Sequence, residues 1–131
     1  MPFFCDSNII VYAFSKDPKR ERAIELLVSG PDINVQVLNE FANVSRRKLM
    51  SGWDTIREAL DLIQLSANAV HPLTQAVHSD GLYLAEHFKF QLYDAMIVSA
   101  ALTAKCETLY SEDMQDGMVI DNRLTIRNPF V

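Results

Sequence analysis

Hydrophobic and polar positions follow a repeating arrangement along the chain, in which short apolar runs are followed by longer amphipathic ones. Residues 2–6 are an apolar run typical of a short buried strand, and residues 8–14 continue as a short helix. A second helix is predicted over 18–30, with Asp17 as its N-cap and Pro18 at its first position. The chain therefore opens with a strand and two helices.

The rest of the chain repeats this alternation. Strands are predicted over 32–36, 68–73 and 107–110 and within the tail 124–131, and helices over 37–50, 55–67 (capped by Asp54), 74–88 and 93–106. The helix over 93–106 is apolar on almost every side, which predicts that it is buried. Short strands separated by helices are typical of a parallel α/β sheet with helices on both faces.

Length and composition are those of one soluble globular domain over residues 1–131. Apolar residues make up 49% of the chain and charged residues 22%. No apolar run reaches the ~20 residues of a membrane span, and no signal peptide is evident, so we expect a cytoplasmic protein. Cys5 and Cys106 are far apart and are predicted to be free thiols. The net charge of −5 argues against binding nucleic acid over the whole surface, but not at a cation-containing site.

A carboxylate interrupts the most apolar stretch of the chain, FFCDSNIIVYAF, at Asp6. A buried carboxylate is costly unless hydrogen bonds, a counter-charge or a metal compensate for its lost hydration. We therefore expect Asp6 to share its surroundings with other polar groups.

Further acids lie where predicted strands end or helices begin. Together with the first acid they are Asp6, Glu40, Asp94, Asp113 and Asp116. Ligand sites of parallel sheets lie at the carboxyl ends of the strands, so these acids are predicted to converge. Converging like charges repel each other unless cations intervene, and Mg²⁺ prefers oxygen ligands. A pair of such ions ~3.5–4 Å apart is the usual device for hydrolysing phosphodiesters.

Each acid has an ordinary structural role when it is considered alone. Asp94 fits an N-cap, Glu40 would complement a helix dipole, and Asp113 and Asp116 fit solvated turns. Asp6 is the hardest to explain in this way. Because four such coincidences would have to fall at one edge of the sheet, the metal-site hypothesis is favoured.

Other polar residues carry weaker signals. Asn8 and Ser111 flank the acids, where they would either orient a metal-bound water or cap a helix and a turn. The three histidines, His71, His78 and His87, lack metal-ligand spacing and are predicted to be surface or packing residues. The basic run 46–48 would suit phosphate contacts, although a solvated helix face is the commoner interpretation.

Taken together, these segments resemble the PIN-domain nucleases, in particular the VapC-type toxins of bacterial toxin–antitoxin pairs. The resemblance spans essentially the whole chain and rests on CDSNIIVYAF, LNEF, YDAMIVSAAL, LYSEDMQDG and the TIRNPF end. The family's four acids map to Asp6, Glu40, Asp94 and Asp113, Asp116 is the additional acid of many members, and Ser111 matches the small hydroxyl residue before the fourth acid. Ser7 stands where the common motif has Thr.

The resemblance implies a three-layer α/β/α sandwich around a central, mainly parallel sheet. It also implies an endoribonuclease that depends on Mg²⁺ or Mn²⁺, acts on RNA as a homodimer, and is blocked by a small antitoxin. In that mechanism Asp6 and Asp94 are the central metal ligands, and Glu40 and Asp113 complete or bridge the site. Asp116 acts directly or through water.

Two alternatives remain open from the sequence. A phosphotransfer domain such as a response-regulator receiver also places Asp at strand ends, but it usually has a second acid beside the first and a Lys after a late strand. A non-catalytic interaction module with the same fold is the other alternative, and it would be supported by the loss of an acid. All four acids are present.

Overall fold

The computed structural model describes residues 2–131, which contain six strands and six helices. In chain order they are β1 (Phe3–Cys5), α1 (Ser7–Ala13), α2 (Arg20–Val28), β2 (Asp32–Asn34), α3 (Val35–Arg47), α4 (Trp53–Ser66), β3 (Ala69–His71), α5 (Gln75–Phe88), α6 (Leu92–Thr103), β4 (Thr108–Tyr110), β5 (Val119–Ile120) and β6 (Leu124–Arg127).

The strands form one sheet in the order β3-β2-β1-β4-β6-β5. Every neighbouring pair is parallel except β5 with β6. Helices α1 to α4 pack on one another, whereas α5 packs on α6, which in turn contacts β2 and β4. The prediction of an α/β sandwich with a central, mainly parallel sheet is confirmed. The first strand of the chain lies inside the sheet, between β2 and β4.

The buried core lies on both sides of the central strands. Phe4, Ile33, Leu109 and Ile126, one from each of four adjacent strands, are fully buried. Most residues of α6 from Ala95 to Ala101 are buried as well, so the prediction of a buried helix is confirmed.

Helices α5 and α6 approach each other closely at Gly81. A Cβ added there would lie 2.6 Å from the sulfur of Met96, so only glycine fits without a shift of that side chain. One turn away, Ser99 donates its hydroxyl to the Val77 carbonyl over 2.8 Å. These contacts join α5 to α6, and α6 in turn lies against β2 and β4.

The predicted beginnings of two helices are wrong. Asp17 and Pro18 form a turn before α2, in which the Asp17 carboxylate accepts the Lys19 backbone N–H over 2.9 Å. Helix α4 has Gly52 at its N-cap, so Asp54 belongs to the first turn, where it pairs with Arg57.

The second strand is shorter than predicted because its last residue caps the following helix. The Asn34 side chain accepts the Val37 backbone N–H over 3.0 Å, and the chain turns into α3 at Val35. Strand β5 is not predicted from the sequence, because its two residues are too few to show a periodic pattern. It reaches β6 through Asp121 and Asn122, both in the left-handed backbone region that tight hairpins require.

The two cysteines are free, as predicted, and both are buried. Burial raises the pKa of both thiols, and the neighbouring carboxylates of Asp6 and Asp32 raise it further. Among residues 2–131, no helix is long and apolar enough to cross a membrane.

Candidate functional site

Asp6 is fixed at the carboxyl edge of the sheet, directly after β1. Its backbone N–H donates to the Tyr110 carbonyl over 3.0 Å, which continues the pairing of β1 with β4. Its carboxylate caps α1 by accepting the Ser7 backbone N–H over 2.7 Å. Only 4% of the residue is exposed. The acid that interrupts the apolar run is therefore buried, as expected, and part of its cost is met by backbone donors.

Ser111 follows β4 and lies beside Asp6. Its hydroxyl donates to Asp6 Oδ2 over 2.8 Å and accepts the Asp113 backbone N–H at 3.3 Å. The serine itself is completely buried. One hydroxyl thus connects the first acid to the loop that carries the fourth.

Asn8 connects the same two acids from the side of α1. Its Nδ2 donates to Asp113 Oδ2 at 3.0 Å and, more weakly, to Asp6 Oδ2 at 3.4 Å. Its Oδ1 accepts the Glu112 backbone N–H at 3.3 Å. The sequence leaves open whether Asn8 and Ser111 orient a metal-bound water or cap a helix and a turn. In the structure both side chains donate hydrogen bonds to carboxylates of the site.

Glu40 enters the site from the second turn of α3. Its Oε1 is buried and has no hydrogen-bond partner among the described residues. The pKa of Glu40 is raised to about 7, first by burial and then by the charges of Asp6, Asp94 and Asp113. A buried carboxylate oxygen without a hydrogen-bond donor is unusual, and a bound ion or water can supply its partner.

Asp94 lies in the first turn of α6, and the N-cap of that helix is Gln91. The interpretation of Asp94 as an N-cap is therefore wrong. Burial raises its pKa, and the charge of Asp113 adds to this effect. Asp94 and Asp113 also line one open cleft of about 280 Å³, together with Lys89 and Phe90.

The four acids influence one another electrostatically. The pKa of Asp6 is raised to about 6. Burial is the main cause, the hydrogen bonds from Ser111 and Ser7 oppose it, and the charges of Asp94 and Asp113 add to it. Four chain segments thus bring carboxylates near one another at the carboxyl edge of the sheet.

Asp116 has a different partner. Its carboxylate accepts the Asn128 backbone N–H over 2.9 Å and so fastens the loop after β4 to the C-terminal tail. It makes no hydrogen bond to the other acids in the described part of the chain.

The donors at this edge suit a hard cation. Within residues 2–131, no three His, Cys, Asp or Glu side chains are arranged to enclose a metal ion. Mg²⁺, however, is commonly held by one or two carboxylates, with water and substrate phosphate completing its shell. The unpartnered oxygen of Glu40 and the mutually repelling carboxylates fit such an ion.

Two clusters were missed by sequence reasoning. Asp32, at the start of β2, is 4% exposed and accepts hydrogen bonds from Asn68 at 2.8 Å and from the His71 ring at 3.0 Å. Asp32 follows Gly30 and Pro31 at the start of its strand, and this local pattern gives no sign of its burial. His71, predicted as a surface or packing residue, is thereby a partner of a buried acid.

The second cluster lies behind the acid loop. Lys19 forms an ion pair with Glu112, and its ammonium lies 5.0 Å from the Tyr12 ring centroid and 5.5 Å from that of Phe130. The two rings contact each other edge to face. Nothing in the sequence indicated that these residues meet.

Comparison with known proteins agrees with this architecture. The family model described as PIN domain matches residues 3–115. No curated protein sequence matches the chain.

Solved structures with the same fold include three toxin or toxin–antitoxin proteins. A toxin–antitoxin complex from Klebsiella pneumoniae is 22% identical, with 98% of each chain covered and a TM-score of 0.70. VapBC2 from Rickettsia felis, bound to a DNA fragment from its promoter, is 21% identical, with 98% of this chain and 100% of that chain covered and a TM-score of 0.69. VapC20 from Mycobacterium tuberculosis, a Sarcin-Ricin loop cleaving toxin, is 19% identical, with 85% and 89% covered and a TM-score of 0.68.

Proposed function

The chain belongs to the PIN domain family, and from that premise we propose that it is a metal-dependent endoribonuclease, the toxin of a toxin–antitoxin pair. The observation that carries the proposal is the convergence of Asp6, Glu40, Asp94 and Asp113 at the carboxyl edge of the sheet. Burial raises the pKa values of Asp6, Glu40 and Asp94, and the charges of the neighbouring acids raise them as well. A bound divalent cation would relieve this repulsion.

Each residue has a defined part in this function. Asp6 and Asp94 would be the central ligands of Mg²⁺ or Mn²⁺, and Glu40 and Asp113 would complete the set. The ion, when bound, supplies a water of lowered pKa and a positive charge beside the phosphate. Asn8 and Ser111 hold two of the carboxylates in place.

The role of Asp116 is a supporting one in this proposal. Its bond to the tail backbone fixes the loop that carries Asp113. A direct bond from Asp116 to the metal would compete with that hydrogen bond. We therefore do not count Asp116 among the residues that bind the metal directly.

RNA is the proposed substrate, and an antitoxin and a second copy of the chain are the proposed partners. Support comes from the fold, since the Klebsiella and Rickettsia proteins of the same fold are toxin–antitoxin structures. The cytoplasm is the compartment in which such a pair would work.

The contacts favour a nuclease over a receiver-like phosphotransfer domain. A receiver has a second acid next to the first, whereas Asp6 is followed by Ser7 and Asn8. A receiver also has a Lys after a late strand, whereas β4 is followed by Ser111, Glu112 and Asp113. A non-catalytic module would not need to keep four repelling carboxylates in one place.

The test is cleavage of total cellular RNA by the purified chain, freed of any antitoxin. We expect internal cleavage in Mg²⁺ or Mn²⁺, none with excess chelator, and recovery when Mg²⁺ is added back. A parallel titration of Mg²⁺ should raise the melting temperature at neutral pH, because the ion binds only the folded site. RNA cleavage that persists in chelator would refute the metal-dependent activity.

A further inference from the structure

The turn between α3 and α4 presents a basic and aromatic surface that the acid site does not use. We call residues 46–53 the α3–α4 tip. It carries three consecutive cations, Arg46, Arg47 and Lys48, and all three are exposed. Trp53, the single tryptophan of the chain, is 55% exposed at its end.

The tip has a fixed conformation. The Ser51 backbone N–H donates to the Ser45 carbonyl over 3.0 Å, and the Ser51 carbonyl accepts the Arg46 guanidinium at 3.1 Å. The same guanidinium lies 4.7 Å from the centroid of the Trp53 ring. A cation stacked on a partly exposed indole forms a flat, preorganised surface.

The cations of the tip are free of acidic partners. None of the three forms a salt bridge within the described residues. The first acid after them, Asp54, is engaged with Arg57 at 2.9 Å. In a chain of net charge −5, this is a local concentration of unneutralised positive charge.

The tip is aligned with the acid site through α3. Glu40 and Arg47 are seven residues apart, which is close to two helical turns, so they lie on the same face of the helix. The rise between them is roughly 10 Å. A stacked nucleic-acid strand advances about 3.4 Å per nucleotide, so this distance corresponds to about three nucleotides.

We propose that the α3–α4 tip is an RNA platform that holds nucleotides flanking the bond to be cut. Arg47 and Lys48 contact backbone phosphates, and a base stacks on the Trp53–Arg46 surface. The proposal rests on the ribonuclease function proposed above. RNA is favoured over a protein partner because its phosphates match unpaired cations and its bases match an exposed ring, which is how single strands are commonly bound.

Two sets of variants separate charge from stacking. R47Q/K48Q removes two cations, and its matched control is K105Q/R123Q, which removes two exposed cations that precede β4 and β6 at the opposite edge of the sheet. W53A removes the ring, whereas W53F keeps a stacking surface.

Fluorescence tests binding without any need for cleavage. Because Trp53 is the single tryptophan, its emission reports on the tip alone. In chelator and low salt, a single-stranded RNA oligonucleotide should quench it saturably, whereas inorganic polyphosphate of equal charge should not. R47Q/K48Q should weaken this binding about tenfold, and the control pair should leave it unchanged. No quenching by RNA in either chelator or Mg²⁺ would overturn the proposal.

Kinetics then separate this proposal from the function on which it rests. We expect R47Q/K48Q and W53A to raise KM about tenfold with kcat changed less than twofold, and W53F to resemble wild type. Metal-dependent cleavage with the same KM in every variant would refute RNA binding by the tip, while the proposed ribonuclease activity would stand. Conversely, if RNA quenches the Trp53 fluorescence of a protein that cuts no RNA, the ribonuclease proposal is refuted and RNA binding by the tip stands. A tip that serves a protein partner instead would show neither quenching nor a change in KM.

Discussion

Ser111 donates its hydroxyl to the carboxylate of Asp6 over 2.8 Å, although the two residues are 105 positions apart in the chain. They meet because β1 and β4 are adjacent and parallel, and each residue directly follows its strand. The bond favours the ionised carboxylate and so opposes the effect of burial, and the pKa of Asp6 that results is about 6. Asp6 therefore remains mostly ionised at neutral pH, as a metal ligand must be.

Replacement of Ser111 by Ala should weaken the site without breaking the fold. With the donor gone, the pKa of Asp6 rises further, and metal binding at neutral pH competes with a proton. We expect Mg²⁺ affinity, measured by calorimetry, to fall about tenfold, as is usual when a group behind a ligand is lost. The pH profile of cleavage should move to higher pH. Ser29→Ala, at the end of α2, is the control, and an unchanged profile in Ser111→Ala would contradict the role.

Asp94→Asn should separate metal binding from helix stability. Because Gln91 is the N-cap of α6, the substitution leaves the cap intact and keeps the shape of the side chain. It removes a charge that repels Asp113, so metal-free stability should be equal or higher. RNA cleavage should fall by orders of magnitude. The control is Asp80→Asn, which changes an exposed acid on α5. Wild-type activity in Asp94→Asn would exclude Asp94 from the site.

The metal-free protein should become more stable as the pH falls from about 7 toward about 4. The folded-state pKa values of Asp6 and Glu40 are raised to about 6 and about 7, above their unfolded values. The folded state therefore takes up protons in this window before the unfolded chain does, and the repulsion is relieved. At neutral pH the burial of ionised Asp6 costs on the order of 2–3 kcal/mol.

Urea unfolding in chelator at several pH values measures this effect. The free energy of unfolding should depend less steeply on pH in Glu40→Gln, because the glutamine side chain cannot titrate. Mg²⁺ should raise stability at pH 7.5 and have little effect at pH 5, where protons compete with it. Stability that falls steadily from pH 7 to pH 5 in chelator would argue against four converging acids.

Lys19 should influence the reaction through the loop that carries Asp113. Its ammonium pairs with Glu112 and lowers the pKa of that carboxyl. Lys19→Ala should free the loop and reduce kcat severalfold with a small loss of stability, whereas Lys19→Arg should retain activity. Arg22→Ala, which breaks the exposed pair with Glu25 on α2, is the matched control. Equal kcat in Lys19→Ala and Arg22→Ala would show that the pair does not position the loop.

Much of the fold follows from periodicity alone. The alternation of apolar runs and amphipathic segments predicts the central strands and all six helices, because burial on a sheet requires those repeats. Strand β5 escapes it, since Val119–Ile120 is too short to show a period. Helix starts shift where a side chain caps the helix earlier than the pattern suggests, as Asn34 does for α3.

The acids of the site could be selected from sequence, but their contacts could not. Asp6 stands out because it breaks an apolar run, and the other three lie near element ends. That Asn8 touches both Asp6 and Asp113 depends on a pairing of distant strands, which no local pattern encodes. Asp32, the other buried acid of the described residues, does not break an apolar run, and its carboxylate is satisfied by Asn68 and His71.

The position of β1 inside the sheet has a consequence for synthesis of the protein. Of the six described strands β1 is made first, whereas its neighbour β4 is made only after β2 and β3. A nascent or truncated chain that ends before Thr108 contains Asp6, Glu40 and Asp94 but lacks Ser111 and Asp113. The edge that carries the acids is thus complete only once β4 and the loop after it have been made, so a fragment released before that point lacks part of the proposed metal site.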